Sequence, residues 1–381
     1  MTVNLESVLR PLRRWPDFES PELQACDAAD RLILDEAGDR LLGADVAVVG
    51  DNYGALTLGA LHLGAASVHV HQDSLTGELA LAANAAASAT SHLAGAPMSF
   101  ETRAVRFRAI PLEVGAFSAC SLVLVRLPRS LEALDEIAAI VSAGAAPNVT
   151  VLAGGRLKHL SLSMNEVLLR HFGSVTATRA RQKSRVLVAQ QPVVGAVPEP
   201  RRRYYADLGL WVVATGGVFA GASVDIGTRA LLEVLDQAPT VRRAIDFGCG
   251  TGVLATALAR SQPGAEIVAS DVSVSAVASA RLTAEANGVR IATKRDDALS
   301  LEPNASADLI VLNPPFHSGA AVHSSAATRM FEAAARVLGP GGELWTVWNS
   351  HLAYKPALRK AIGATREVSR TAKFTVTVST R

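Results

Sequence analysis

Cysteine is scarce in this chain of 381 residues, which contains only Cys26, Cys120 and Cys249. The three lie far apart and form no CxxC pair or Cys/His cluster, so neither a disulfide framework nor a zinc site is expected, and no metal is predicted. Apolar runs of about 18 residues are also missing, and the N-terminus has no apolar signal core. These absences predict a cytoplasmic protein without membrane contact.

A large excess of charge of either sign is missing too. The chain has 37 Lys/Arg, 35 Asp/Glu and a net charge of +2, which excludes a polycation. Residues 1–100 are acidic and the remainder is mildly basic, which permits contact with RNA without requiring it. With 49% hydrophobic residues, the chain can build cores and is long enough for two domains.

Strands and helices alternate through the second half of the sequence. Residues 243–261 have the pattern of an apolar strand, a glycine turn and an amphipathic helix, and residues 265–273 and 307–316 have the pattern of further strands. Residues 373–380 predict a late strand of the same sheet. The alternation is typical of a doubly wound, mostly parallel α/β sheet.

The first half repeats this pattern. An offset of 198 residues places Gly50 on Gly248 and Asp73 on Asp271, and residues 120–130 match residues 307–317. These landmarks predict an internal duplication. The copies differ at three positions, where the first has Val48, Asn52 and Arg126 and the second has Asp246, Gly250 and Asn313.

Residues 192–205, between the copies, are rich in proline and glycine and predict an exposed linker. It ends in three arginines and two tyrosines. Such a cluster could contact phosphates and stack on bases, or it could simply be solvated.

The glycine-rich turn of the second copy is the first candidate site. Glycine tolerates positive φ and lets the backbone approach a ligand, and the next helix begins with free N–H groups. A dinucleotide fingerprint would have its third glycine one residue later. An acid followed by this spacing fits the positively charged S-adenosylmethionine better. Cofactor contacts are therefore predicted for Asp246, Gly248, Cys249, Gly250 and Gly252.

Acidic residues follow the next two strands. Asp271 can accept both ribose hydroxyls of a nucleoside, although Asp271 or Ser273 could instead cap the following helix. Asp297 could accept from an adenine amino group, with Asp296 as a competing choice and loop capping as the alternative. Further cofactor contacts are therefore predicted for Asp271, Val272, Asp297 and Ala298.

The sequence Asn-Pro-Pro-Phe ends the buried strand at residues 313–316. In an exocyclic purine amine, the nitrogen lone pair is delocalised into the ring. Two acceptors, the Asn313 side-chain oxygen and the Pro314 carbonyl, can hold the N–H groups and free that lone pair, while the prolines add no competing N–H. Phe316 offers a flat face to the base. The catalytic candidates are Asn313, Pro314, Pro315 and Phe316, unless the prolines only end the strand.

The second half resembles class I S-adenosylmethionine-dependent methyltransferases with the amino-methylating Asn-Pro-Pro-aromatic motif. The whole chain is similar to the bacterial two-domain ribosomal RNA guanine-N2 methyltransferases, whose N-terminal half is a degenerate copy of the catalytic half. The resemblance rests on GDNYGALTLGAL, LQACDAADRLIL, GGVFAGASVDIGTRALLEVL, IDFGCGTGVL, LNPPFHSG, WNSHLAYKPALRKAIG and KFTVTV. The DNYGAL turn, the NSHLAY run and the chain length favour the large-subunit (23S) branch over the small-subunit (16S) branch.

This resemblance implies two tandem Rossmann-like class I methyltransferase domains. Residues 1–191 would be a degenerate domain that positions RNA without a cofactor, and residues 206–381 would be catalytic. It also implies that Asn313, Thr228, Phe219 and Asp225 lie beside the cofactor, although Asp225 could equally cap a helix.

The implied activity is methylation of the guanine N2 amine in ribosomal RNA, with S-adenosyl-L-methionine as cofactor. The implied partner is ribosomal RNA or a ribosomal subunit precursor, and a monomer is expected. The alternatives are a 16S rRNA enzyme, an adenine-N6 or protein glutamine-N5 methyltransferase, and a non-catalytic RNA-binding assembly factor.

Overall fold

The computed structural model describes residues 4–91, 106–314 and 320–381, without the side chains of residues 89–91 and 320–325. The chain divides into two compact units, Met1–Glu199 and Pro200–Arg381. The boundary falls inside the segment predicted to be a linker. Among the described helices, none combines the length and apolar character needed to cross a membrane.

The first unit contains a seven-stranded sheet in the order β3-β2-β1-β4-β5-β7-β6. Its strands are β1 Asp45–Val49, β2 Ser67–His71, β3 Phe107–Ala109, β4 Leu122–Arg126, β5 Thr150–Arg156, β6 Phe172–Ala177 and β7 Ser184–Pro192. Its helices are Glu6–Leu9, Ala28–Ala37, Ala55–His62, Leu75–Ser91, Leu131–Gly144 and Leu162–Leu169.

The second unit begins with a hairpin, β8 Arg201–Tyr205 and β9 Leu210–Ala214. Its sheet has the order β12-β11-β10-β13-β14-β16-β15, and its strands are β10 Arg243–Phe247, β11 Glu266–Asp271, β12 Ala292–Arg295, β13 Ala307–Leu312, β14 Leu338–Asn349, β15 Ala364–Arg370 and β16 Phe374–Thr380. Its helices are Ile226–Leu232, Val253–Ser261, Val274–Ala286, Ala320–Val337 and Lys355–Ala361.

The two sheets have the same strand order. In each, the first five strands pair in parallel, and the last two pairings are antiparallel because the sixth strand in the order runs against all the others. The predicted α/β fold with two mostly parallel sheets is thus confirmed. The central strands are buried on both faces, as parallel sheets covered by helices require. In β13, Leu309 and Val311 pack into one core cluster while Ile310 and Leu312 pack into the other.

The hairpin is a difference from the sequence-based interpretation, which placed residues 201–205 in an exposed linker. Arg201–Tyr205 is instead a strand that pairs antiparallel with Leu210–Ala214. Tyr205 is buried among Leu210 and Val212. This burial, which local composition does not reveal, is the physical reason for the strand.

Candidate functional site

Strand register brings the predicted site segments to one edge of the second sheet. β10 and β13 pair with Phe247 opposite Leu312, which puts the glycine loop next to Asn313. β10 and β11 pair with Phe247 opposite Ser270, which puts the same loop next to Asp271. The strand order reverses around β10, and α/β sheets bind ligands outside the carboxyl ends of strands at such a point.

The glycine loop leaves open space at its centre. Gly248, Gly250 and Gly252 have positive φ angles of 72°, 51° and 71°. A Cβ at Gly252 would lie 2.6 Å from the Ala280 Cβ, so this glycine allows two helices to pack closely. A Cβ at Gly250 would meet no atom within 4 Å among the described residues. A ligand could therefore approach the backbone there.

Asp246, near the end of β10, anchors the helix that follows the glycine loop. Its buried carboxylate accepts a hydrogen bond from the Ala255 amide at 2.9 Å, which anchors the first turn of the helix Val253–Ser261. Burial raises the pKa of Asp246 to about 7, and the neighbouring Asp271 adds to the rise. Cys249 is buried as well, and burial raises the pKa of its thiol.

Asp271 ties the loop to the next strand. One carboxylate oxygen accepts from the Gly250 amide and the other from the Ser273 amide, both at 3.0 Å. The Ser273 hydroxyl caps the helix Val274–Ala286 by accepting from the Ala276 amide at 3.0 Å. The carboxylate thus lies beside the open space at Gly250, where the predicted contact to ribose hydroxyls would form. Val272 next to it is half-buried.

The two acids at residues 296–297 have different surroundings. Asp296 is buried and accepts from the Ser300 hydroxyl at 2.5 Å and the Leu301 amide at 3.0 Å. Asp297 is half-buried and forms an ion pair with Arg329. The loop-capping role weighed for this segment therefore belongs to Asp296, and Asp297 stays the predicted adenine contact. The next residue, Ala298, has a φ of 53°.

Asn313 is held in one orientation. Its side-chain nitrogen donates to the Asp225 carboxylate at 3.0 Å and to the Thr228 hydroxyl at 3.1 Å. An ionised carboxylate only accepts hydrogen bonds, so the amide nitrogen must be the atom that faces it. The opposite atom, Oδ1, is buried and has no hydrogen-bond partner among the described residues. A buried acceptor without a partner is costly and indicates a ligand position.

Asp225 has two roles in this arrangement. It caps the helix Ile226–Leu232 by accepting from the Gly227 amide at 2.8 Å, and the same oxygen accepts from Asn313. Of the two alternatives raised by the sequence, helix capping is observed, and a place beside the cofactor stays a prediction. The Thr228 hydroxyl accepts from the Asn313 side-chain nitrogen, and its contact with the cofactor stays a prediction.

The remaining predicted residues are placed less completely. Pro314 is buried. Pro315 and Phe316 lie outside the described residues. Phe219 has 63% of its surface exposed. Within the described parts of the chain, there is no group of three or more His, Cys, Asp or Glu residues that could hold a metal.

The first unit closes the equivalent position with an ion cluster. β1 and β4 pair with Val49 opposite Val125, so Arg126 takes the place of Asn313. Its guanidinium pairs with Asp27, at 2.7 Å, and with Asp30. Burial raises the pKa of Asp30 despite the nearby guanidinium. At this position the first unit therefore has a guanidinium paired with two carboxylates, whereas the second unit has a buried hydrogen-bond acceptor without a partner among the described residues.

The partners of Arg126 and Asn313 correspond to each other. The offset of 198 residues places Asp27 on Asp225 and Asp30 on Thr228, and Asp27 also caps its helix. The signal was present in the sequence, as DAADR against DIGTR, but the sequence comparison did not use it. One constellation therefore occurs twice, with an amide at its centre in one unit and a guanidinium in the other.

Register also corrects the sequence match at the second strand. The β1–β2 pairing places Val49 opposite His71, whereas β10–β11 places Phe247 opposite Ser270. Gln72, and not Asp73, therefore takes the place of Asp271. The Gln72 amide oxygen accepts from the Asn52 amide at 3.1 Å, as Asp271 does from Gly250. The placement of Asp73 on Asp271 was wrong because the segment between β1 and β2 is one residue shorter than the segment between β10 and β11.

The carboxylate that anchors the following helix lies in the loop after β1 in the first unit, whereas in the second unit it lies in strand β10. Asp51, in the loop, accepts from the Leu56 and Thr57 amides at 2.7 and 2.9 Å, while strand position 48 holds valine. Thr57 corresponds to Ala255, so Asp51 anchors the helix turn that Asp246 anchors in the second unit. Burial raises the pKa of Asp51 to about 6. Asp51 thus has the structural role of Asp246, while Arg126 and Gln72 stand where the second unit has Asn313 and Asp271.

Comparison with known proteins agrees with this two-unit arrangement. The family model described as "RLMG N-terminal domain" matches residues 2–193, and the model described as "Methyltransferase small domain" matches residues 209–378. The solved structure of a T. thermophilus 16S rRNA N2 methyltransferase (RsmC), in complex with AdoMet and guanosine, is 21% identical with a TM-score of 0.73. The likeness covers 93% of this chain and 92% of that one, and it supports the fold.

Curated relatives are similar over nearly the whole chain. The ribosomal RNA large subunit methyltransferase G of Pseudomonas aeruginosa is 36% identical over 375 residues, covering 96% of each chain. The protein of the same name from Streptomyces avermitilis is 34% identical over 377 residues, covering 96% of this chain and 95% of the relative. Together with the domain matches, these identities show that the chain belongs to the ribosomal RNA large subunit methyltransferase G family.

Proposed function

We propose that this chain transfers the methyl group of S-adenosyl-L-methionine to the exocyclic N2 amine of a guanine in large-subunit (23S) ribosomal RNA. The observation that carries the proposal is the buried Asn313 Oδ1, which lacks a partner among the described residues and is fixed by Asp225 and Thr228. An acceptor held in this way suits an N–H group of the substrate.

The second unit also has the groups that suit this cofactor. The open space at Gly250 and the carboxylate of Asp271 adjoin each other, and Asp297 lies at the same sheet edge. Their negative charge complements a sulfonium and an ammonium group. Asp271 would hold the ribose and Asp297 the adenine, while the bound cofactor supplies an electrophilic methyl group.

The chain itself contributes alignment and polarisation. Asn313 Oδ1 accepts one N–H of the guanine amine, and the Pro314 carbonyl accepts the other. Held in this way, the amine nitrogen would present its lone pair to the methyl group that the bound cofactor would supply; the new N–C bond would replace the S–C bond, and one amine proton would pass to solvent. Such positioning and hydrogen-bond stabilisation account for catalysis without a strong general base.

The names of similar proteins support the choice of substrate. Relatives that match 96% of this chain are named for the ribosomal RNA large subunit. The T. thermophilus structure of the same fold was solved with AdoMet and guanosine. RNA bases must leave the stack to reach a closed pocket, so an unpaired or flipped guanine is the expected substrate.

The proposal is tested with labelled S-adenosyl-L-methionine and unmethylated ribosomal RNA, followed by mass-spectrometric mapping of the product. We expect N2-methylguanine in the large-subunit RNA. Asn313→Ala should nearly abolish turnover and leave cofactor affinity close to that of the wild type, and Asn304→Ala, an exposed asparagine of the same unit, should behave as the wild type. Label on adenine, on a protein glutamine or on no substrate would overturn the proposal.

In this proposal, the first unit takes part without a cofactor. Arg126 fills the position of the acceptor and Gln72 the position of the ribose-binding acid. Calorimetric titration should give one bound S-adenosyl-L-methionine per chain, and two would contradict this division. Its remaining role is to help position RNA.

A further inference from the structure

In the hairpin β8–β9, the free edge of β9 is hydrogen-bonded to side chains of a helix, and β8 is the outer strand. β8 Arg201–Tyr205 pairs only with β9 Leu210–Ala214 within the described residues. The other edge of β9 lies along the helix Val274–Ala286, which follows Asp271. Side chains of that helix, instead of another strand, satisfy the β9 backbone.

This support follows a regular spacing. Asn287 hydrogen-bonds the amide and carbonyl of Trp211 at 2.9 and 2.7 Å, and Thr283 hydrogen-bonds those of Val213 at 3.0 and 3.1 Å. Ser279 accepts from the Thr215 amide at 3.1 Å. Four helical residues rise about 6 Å, and two strand residues span about 6.6 Å, so successive contacts stay in register. The hairpin is therefore rigidly attached to the catalytic unit.

Cationic and aromatic side chains form a ladder on the hairpin. The Arg202 guanidinium lies 4.2 Å from the centre of the Trp211 ring. The rings of Trp211 and Tyr204 are 5.1 Å apart, inclined at 50°. Tyr204 has 50% of its surface exposed, whereas Trp211 is half-buried. One end of the ladder therefore presents an aromatic ring to solvent.

All the charged side chains of β8 are positive. Arg201, Arg202 and Arg203 are consecutive and exposed. Among the described residues, neither Arg202 nor Arg203 has a carboxylate within ion-pair distance, whereas Arg229 nearby pairs with Asp207. Arginines beside exposed aromatic rings are the combination that binds single-stranded nucleic acid, with cations on phosphates and rings against bases.

We infer that the face formed by Arg202, Tyr204 and Trp211 binds an unpaired base and the adjoining phosphates of single-stranded RNA. This inference rests on the proposed function, in which the substrate is RNA. Residues 215–224 join β9 directly to Asp225, which orients Asn313. RNA held by the hairpin is thus bound to an element of the same unit that leads along the chain to the site.

The test measures RNA binding apart from methylation, with fluorescence anisotropy of a fluorescein-labelled single-stranded RNA and the full-length protein. Tyr204→Ala should raise the Kd about tenfold through lost base stacking, and Tyr204→Phe should stay near the wild type because it keeps the ring. Arg202→Ala should also weaken binding and reduce the slope of log K against log salt by about 0.7, the loss expected for one phosphate contact. Arg366→Ala, an exposed arginine on edge strand β15, is the matched control.

Cofactor affinity, measured by calorimetry, should be unchanged in all four variants, which shows that the catalytic unit is folded. If the wild type binds RNA and Tyr204→Ala binds equally well, the inference about the hairpin is wrong and the proposed function stands. If the wild type binds RNA through Tyr204 without methylating it, the hairpin inference stands and the proposed function fails. If the wild type does not bind RNA, both fail.

Discussion

Replacement of Asp225 by serine separates its two roles. Serine keeps an oxygen that can cap the helix Ile226–Leu232, as Ser273 and Ser130 cap other helices of this chain at 3.0 and 3.1 Å. Its side chain is one heavy atom shorter than the aspartate, so it should not reach the Asn313 nitrogen, which lies 3.0 Å from the carboxylate. Asp225→Ser should therefore remove the charged one of the two hydrogen bonds that orient Asn313, leave the bond to Thr228 and retain the cap.

The magnitude follows from that lost contact. A hydrogen bond to a charged group contributes about 1.5–3 kcal/mol, which corresponds to about 10- to 100-fold in rate if it serves only to orient the acceptor. We expect kcat to fall by this factor. The free energy of unfolding should change little, because serine and aspartate are similar N-caps, whereas Asp225→Ala should lose about 1 kcal/mol as well.

The assay combines steady-state methylation of unmodified ribosomal RNA, calorimetric cofactor binding and urea unfolding. Cofactor affinity should be unaffected in both variants. Ser130→Ala, which removes a cap in the first unit, is the control for loss of stability alone and should keep a normal kcat. A wild-type kcat for Asp225→Ser would refute the argument, since Asn313 would then be oriented by something else.

Three further predictions concern other residues. Gly227→Ala places a Cβ 3.0 Å from Asp225 Oδ2 and 3.1 Å from Asn313 Oδ1, so it should lower kcat about tenfold while Gly264→Ala, whose Cβ meets no atom, does not. Arg126→Met leaves the buried Asp30 without its counter-ion and should lower the free energy of unfolding, measured in urea titrations, by about 3–5 kcal/mol. Cofactor affinity should not change. The control Arg129→Met, at an exposed position, should leave the free energy of unfolding at the wild-type value. Because the pKa of Asp246 is raised to about 7 in the folded state, the folded protein binds more protons than the unfolded chain between about pH 4 and pH 7. Stability from this group is therefore present at low pH and lost as pH rises through that window. Urea unfolding midpoints measured between about pH 4 and pH 7 should therefore fall less steeply with pH in Asp246→Asn than in the wild type, and the remaining fall would come from Asp51. An unchanged slope would contradict the raised pKa of Asp246.

The parts of the site that the sequence predicted well are those set by parallel strand register. Gly248, Asp271 and Asn313 each follow a buried apolar strand, and adjacent parallel strands bring their carboxyl ends together. The contact between Asn313 and Asp225 could not be derived in this way. Asp225 lies 88 positions earlier, and its cap sequence is equally suited to an ordinary helix.

The two sequence-based predictions that were wrong failed for different physical reasons. The match of Asp73 to Asp271 failed because the first unit has one residue fewer before β2 than the second unit has before β11, and an aspartate next to Gln72 hid that shift. The hairpin strand Arg201–Tyr205 was not recognised because its composition is that of a linker. Its stability depends on Asn287 and Thr283, whose contacts with β9 are distant in sequence.

The ion cluster of Arg126, Asp27 and Asp30 has a consequence for how the two units diverged. Restoring the amide by Arg126→Asn alone would leave Asp30 buried without a cation, and restoring Asp30→Thr alone would leave Arg126 with one partner. Each single step back is destabilising, even though both steps together recreate the arrangement of the second unit. The arrangement of the second unit can therefore be reached from that of the first without an intermediate loss of stability only when both positions change together.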